Sequence, residues 1–207
     1  AIAPGNQAER GEATLRGILS YTGRPFSVFE QGRVRTVYGW MNSRRKYFGP
    51  RLGWRWLANV DVPDLELFPA QFAVTERVRF QASLELTFLH FSMLAMASLA
   101  RLRLIKNWAP ATALIYRMSH WFSKLGSADG AMQIDIAGLN TQGAASRLCW
   151  RLEAYDGIGP FIPTLSTIII ARQLLAGQVN PGARACSGEF SLPEFYPYAQ
   201  SLGLVIR

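Results

Sequence analysis

The sequence predicts an α+β fold: a mostly antiparallel sheet with helices packed on one face, a long apolar helical hairpin among them. Three observations predict it. Two stretches have the period-two alternation and turn residues of β-hairpins. Between and after them lie apolar runs at helical spacing. Finally, 207 residues that are 49% hydrophobic and only 17% charged, against roughly 25% charged in an average soluble domain, supply a core.

The elements follow in order. Ala13, Leu15, Ile18 and Leu19 recur near helical spacing from Gly11 to Tyr21, and Gly23 and Pro25 supply the stop. Phe26 to Glu30 and Arg33 to Tyr38 form a hairpin, with Gly32 supplying the positive φ that a tight turn demands. Asp61-Val62-Pro63-Asp64 reads as a short helix start with a carboxylate N-cap, ended by Pro69. Arg77 to Ser83 alternates as a strand. Leu84 to Leu104 is helical and apolar nearly all round, so it must be covered. Asn107 and Pro110 open a second helix through Phe122, closed by Lys124 and Gly126, which completes the helical hairpin. Ala131 to Leu139 and Ser146 to Tyr155 are the strands of a second hairpin, turning at Asn140-Thr141-Gln142-Gly143. Thr164 to Ala176 is a helix stopped by Gly177. Ser191-Leu192-Pro193-Glu194 is a capping-box start for a last helix, which Pro197 kinks or shortens. No repeat and no linker divides the chain, so residues 1–207 read as one domain.

Composition narrows the chemistry. Twenty-two Lys and Arg against 14 Asp and Glu leave a charge of +8, which favours an anionic neighbour. Two cysteines, Cys149 and Cys186, and two histidines, His90 and His120, 30 residues apart, do not make a dedicated zinc site. Both histidines lie in apolar helical runs and read as structural. Walker A spacing and Gly-x-Ser-x-Gly are absent. The nearest approach to a dinucleotide fingerprint, Gly157-x-Gly159-x-x-Ile162, lacks its third glycine and is stiffened by Pro160 and Pro163. No cofactor is therefore expected on this chain alone. The opening Ala1-Ile2-Ala3-Pro4-Gly5 lacks Met and any signal-peptide character, and reads as the inside of a longer protein.

One segment is unusually polarised. Between Gln31 and Val60 stand seven basic residues and no carboxylate, interleaved with aromatic rings. It reads as a nucleic-acid surface, the anion-binding wall of a substrate cleft, or a hairpin with solvated arginines; nucleic acid is disfavoured because no recognition motif surrounds the charges. As a cleft wall, Arg44 and Arg45 would fork onto carboxylate or phosphate oxygens beside Tyr38 and Trp40, and Thr164 would join them at a helix start. The rigid loop Gly159, Pro160, Ile162, Pro163 would face the same cleft. The run from Leu86 to Ala100 has 15 residues without a charge, short of the about 20 a bilayer needs. It serves as core, as dimer contact, or as a hairpin dipping into a membrane surface.

Several separated blocks resemble one family. These are Ile2-Ala3-Pro4-Gly5-Asn6, Arg16-Gly17-Ile18-Leu19-Ser20-Tyr21, Gly23-Arg24-Pro25-Phe26, Thr36-Val37-Tyr38-Gly39-Trp40, Asp61-Val62-Pro63-Asp64-Leu65, Leu67-Phe68-Pro69 and Gly159-Pro160-x-Ile162-Pro163. Together they resemble the carboxyl-terminal part of bacterial saccharopine dehydrogenase-like oxidoreductases. The resemblance implies an NAD(P)-binding amino-terminal Rossmann domain, absent from this chain, and a second domain that covers the cleft and makes a homodimer. It implies a substrate-side and dimerisation domain, inactive alone, in a cytoplasmic protein. The competing expectation is a peripheral membrane or lipid-binding module using Leu84 to Phe122. No catalytic residue is carried over.

Overall fold

In the computed structural model, which describes residues 1–207, the chain begins with β1 (Ile2–Ala3), α1 (Glu12–Tyr21), β2 (Pro25–Glu30), β3 (Arg33–Tyr38), β4 (Arg44–Tyr47), β5 (Trp54–Asn59) and α2 (Asp64–Gln71). Then come β6 (Gln81–Ser83), α3 (Thr87–Arg101), α4 (Thr112–His120), β7 (Gly130–Leu139), β8 (Ala145–Ala154), α5 (Ile162–Leu175), α6 (Leu192–Ser201) and β9 (Val205–Ile206). Seven strands form the main sheet in the order β4-β5-β6-β1-β7-β8-β9, and β2 and β3 pair separately. Only β1 and β6 run parallel; every other pair is antiparallel. The class is α+β with a mostly antiparallel sheet.

Register explains where the core sits. Ala58, Ala82, Ile2, Met132, Leu152 and Ile206 form one row across six strands, and side chains in such a row share a face. At one end of that row Ala58 packs with Leu19 of α1 and with Met93 and Ala97 of α3. At the other end Leu152 packs with Leu165 and Ile169 of α5 and with Phe195 and Ala199 of α6. Both helix groups therefore cover the same face. The opposite face is free of helices and closes on itself. Flat, β4 and β7 would lie about 19 Å apart at roughly 4.8 Å per strand, yet Lys46 of β4 is ion-paired with Asp135 of β7. The curl buries a second core of Ala3, Phe48, Leu52, Leu57 and Ala131 on the concave side.

Several expectations need correction. The long apolar helical hairpin does not form: α3 starts at Thr87, α4 has only nine residues after a 3-10 turn, and α4 packs on α1. Nor is α3 covered all round, since Phe88, Phe91 and Leu99 are exposed. Pro69 does not end α2, which runs on to Gln71, and its start carries no side-chain cap. Pro197 leaves α6 a continuous ten residues, with the Ser191–Glu194 capping box in place. No helix is long and apolar enough to cross a membrane.

Candidate functional site on the helix-free face of the sheet

Strand pleating decides where the charged side chains go. Arg44 pairs opposite Leu57 and Arg45 opposite Trp56, so the two neighbouring arginines point to opposite faces. Arg45 lies on the helix side over the rings of Trp54 (5.2 Å) and Trp56 (5.7 Å), where stacking holds its guanidinium. Arg44 projects onto the concave side. There burial, together with the nearby Arg79 and Arg77 guanidiniums and against the pull of Asp135, lowers its pKa. It takes part in no ion pair.

The concave surface is built from the polar phase of each strand. One register step from the apolar row stand Asn59, Gln81, Gln133 and Arg151. Arg77 and Arg79 precede Gln81 with the same alternation, and both reach Glu30 Oε1 at the end of β2, at 3.1 and 2.7 Å. Lys46 and the Gln133 amide (2.8 Å) converge on Asp135. Burial works to raise this carboxyl, but those two hydrogen bonds and the Lys46 charge outweigh it and hold it below its usual range. Gln81 donates to Asn59 at 3.1 Å, leaving its buried Oε1 without a partner, as are Ser83 Oγ and Gln133 Oε1. At this end of the surface four cations, Arg44, Lys46, Arg77 and Arg79, thus face two carboxylates, Glu30 and Asp135. Beside them a shallow groove, with room for little more than a water molecule, lies between Val28 and Val37 of the β2–β3 hairpin and Asn42, Asn59, Arg77 and Arg79. Arginine forks, amide groups and an apolar wall are the means by which a site grips a carboxylate or phosphate.

Two carboxylates frame this surface. Glu85, opposite Arg55 (3.0 Å), accepts the Asn6 and Ser127 backbone N–H groups and the Ser127 hydroxyl. Glu153 lies 2.7 Å from Arg151 Nε, unaligned for a hydrogen bond, and 3.4 Å from Arg207. It also accepts the Tyr155 hydroxyl, and this hydrogen bond, with burial, raises the phenol's pKa.

The other residues singled out by the sequence lie elsewhere. Trp40 is buried in the helix-side core with φ +57°, and Tyr38 carries Arg101 over its ring at 4.4 Å. Thr164 donates to the Phe161 carbonyl at 2.6 Å in the first turn of α5. Gly159 and Pro160 form a 3-10 turn, and Ile162 packs with α5 and α6, followed by Pro163. That loop sits over the β7–β9 half of the sheet, away from Arg44 on the β4 edge. The structure brings Arg44 together with Arg77, Arg79, Asn59 and Gln81, which sequence reasoning missed. The Arg77-Val78-Arg79-Phe80-Gln81-Ala82-Ser83 alternation puts Arg77, Arg79 and Gln81 on one face, but nothing local places that face beside Arg44 or Asn59.

His90 stands on the other side of β5. It is fully buried, 2.8 Å from Ser43 Oγ, and packed against Trp40, Trp56 and Phe91. Its Nδ1 has no partner, so the serine–histidine pair lacks the orienting acid of a hydrolytic triad. No three His, Cys, Asp or Glu side chains gather to hold a metal ion. Comparison with protein-family models and with curated proteins finds no match to this chain.

Proposed function

We propose that this chain is the substrate-side and dimerisation domain of a saccharopine dehydrogenase-like NAD(P)-dependent oxidoreductase, its concave sheet face closing over a nucleotide-binding domain. The observation that carries the reading is the convergence of Arg44, Arg77 and Arg79 with the buried amides of Asn59 and Gln81 at one end of that face. The resemblance in sequence supplies the family; the cationic concave face supports a role on the substrate side. The chain offers binding and positioning groups for an acidic substrate. The redox chemistry belongs to the nicotinamide, which the partner domain would hold at a glycine-rich turn this sequence lacks.

The test uses calorimetry and steady-state kinetics. The 207-residue chain alone does not bind NADPH in the low micromolar range, whereas the protein that includes its nucleotide-binding domain does. In that two-domain protein, Arg44→Ala with Arg79→Ala weakens substrate binding by more than about tenfold and leaves cofactor affinity nearly unchanged. Tight NADPH binding by the chain alone, or equal loss of substrate and cofactor affinity, refutes the reading.

A further inference from the structure

From Leu86 to Ala128 the chain has no Asp or Glu, while Arg101, Arg103, Lys106, Arg117 and Lys124 lie within it. None of these cations takes part in an ion pair. The same segment exposes several large apolar side chains. Phe88, Phe91, Ala95, Leu99 and Leu102 recur at three- and four-residue steps, so they form one stripe along α3. Leu102 and Leu104 are 69% exposed, and beyond α4 Trp121 is 76% exposed. The turn that follows α4 meets the start of α3 where Phe88 packs edge to face on Phe122 at 5.1 Å. Between the two leucines Arg103 takes φ +61°, a left-handed conformation that normally selects glycine. A cation thus stands at the tip of the apolar stripe.

We propose that this face of α3 and α4 docks on an anionic lipid bilayer, a surface role independent of the oxidoreductase reading. Apolar side chains with aromatic anchors and a cationic rim are what an interfacial helix needs, the leucines and Trp121 entering the headgroup boundary while arginine and lysine stems reach back to phosphate. A second copy is the poorer occupant. In a twofold contact the patch meets itself, and here it would set unpaired cations against cations with no carboxylate to relieve them.

The experiment is sedimentation of the full chain with phosphatidylcholine vesicles, with and without phosphatidylglycerol, at low and high salt. The chain sediments with the anionic vesicles, stays in solution with the neutral ones, and is released by salt. Leu102→Gln with Trp121→Gln lowers the affinity by more than about tenfold, and Arg103→Gln with Lys106→Gln lowers it on the order of thirtyfold. Since all four side chains are exposed, unchanged circular dichroism verifies folding. Absence of binding to anionic vesicles, or binding that ignores the apolar pair, overturns the proposal. So does a change in sedimenting mass caused by the apolar pair without vesicles, which would assign the face to a contact between copies.

Discussion

His90 is enclosed by aromatic rings with one polar neighbour, and burial lowers its pKa below the ordinary 6.5. The consequence for stability has a definite sign. Below about pH 6.5 the unfolded chain takes up a proton that the folded chain resists, so the unfolded state binds more protons and stability falls with falling pH. The contribution is fully present above that pH and is lost toward the lower folded value. Calorimetric melting in steps from pH 8 to pH 5 should therefore give a melting temperature that declines below about pH 6.5, with a slope of at most about 1.4 kcal/mol per pH unit from this group. In His90→Gln that part of the slope is absent, whatever the variant's stability at neutral pH. Glu85 shows the opposite way of holding a buried polar group. Its carboxylate joins Arg55, Asn6 and Ser127, and a Cβ on Gly126 would come within 2.4 Å of it. A glycine belongs there for space as well as for its φ of +76°.

The end of α3 is a Schellman motif: the Arg103 N–H bonds the Ala100 carbonyl at 3.0 Å and the Leu104 N–H bonds the Leu99 carbonyl at 3.1 Å. Arginine occupies the left-handed position at a cost of about 1 kcal/mol relative to glycine. Arg103→Gly should raise the unfolding free energy by about that amount in urea titration, while weakening attachment to anionic vesicles. How much was legible in the sequence varies by element in the same physical way. The β7–β8 and β2–β3 hairpins were legible because Met132, Ile134 and Ile136 alternate against Leu148, Trp150 and Leu152, and because Gln31-Gly32 and Asn140 to Gly143 carry turn chemistry. The strand β4 was not, since Arg44-Arg45-Lys46-Tyr47 has no apolar phase. It is an edge strand, and edge cations guard against unwanted pairing. The short strands β1 and β9, two residues each, are too brief for any periodicity and exist only through their neighbours. Of the candidate site, Arg44 was legible from charge; Arg77, Arg79, Asn59 and Gln81 join it through strand pairing over long separations, which no local pattern reveals.

At the scale of the molecule, β7 and β8 extend well past their neighbours. Beyond Gln133 and before Arg151 no other strand continues alongside them, and the projecting hairpin exposes Ile134, Ile136 and Leu148. Two strands with one uncovered apolar face are marginal alone, which fits the dimerisation half of the proposed function. Light scattering should report a dimer for the intact chain, and a monomer for Ile136→Lys with Leu148→Lys, both exposed positions that leave the core untouched. An unchanged mass would remove the hairpin as the interface. The position of β1 also governs how the molecule can be assembled in time. Ile2 pairs with Ala82 on one side and Met132 on the other, so the centre of the sheet is filled by residues from the start of the chain. At ordinary synthesis rates Met132 follows Ile2 by on the order of ten seconds. Through that interval the first strand has no second neighbour, the α5–α6 layer does not exist, and the loop closures still required are long. The domain therefore completes its sheet late, when β7 reaches the strand laid down first and joins the two halves of the sheet.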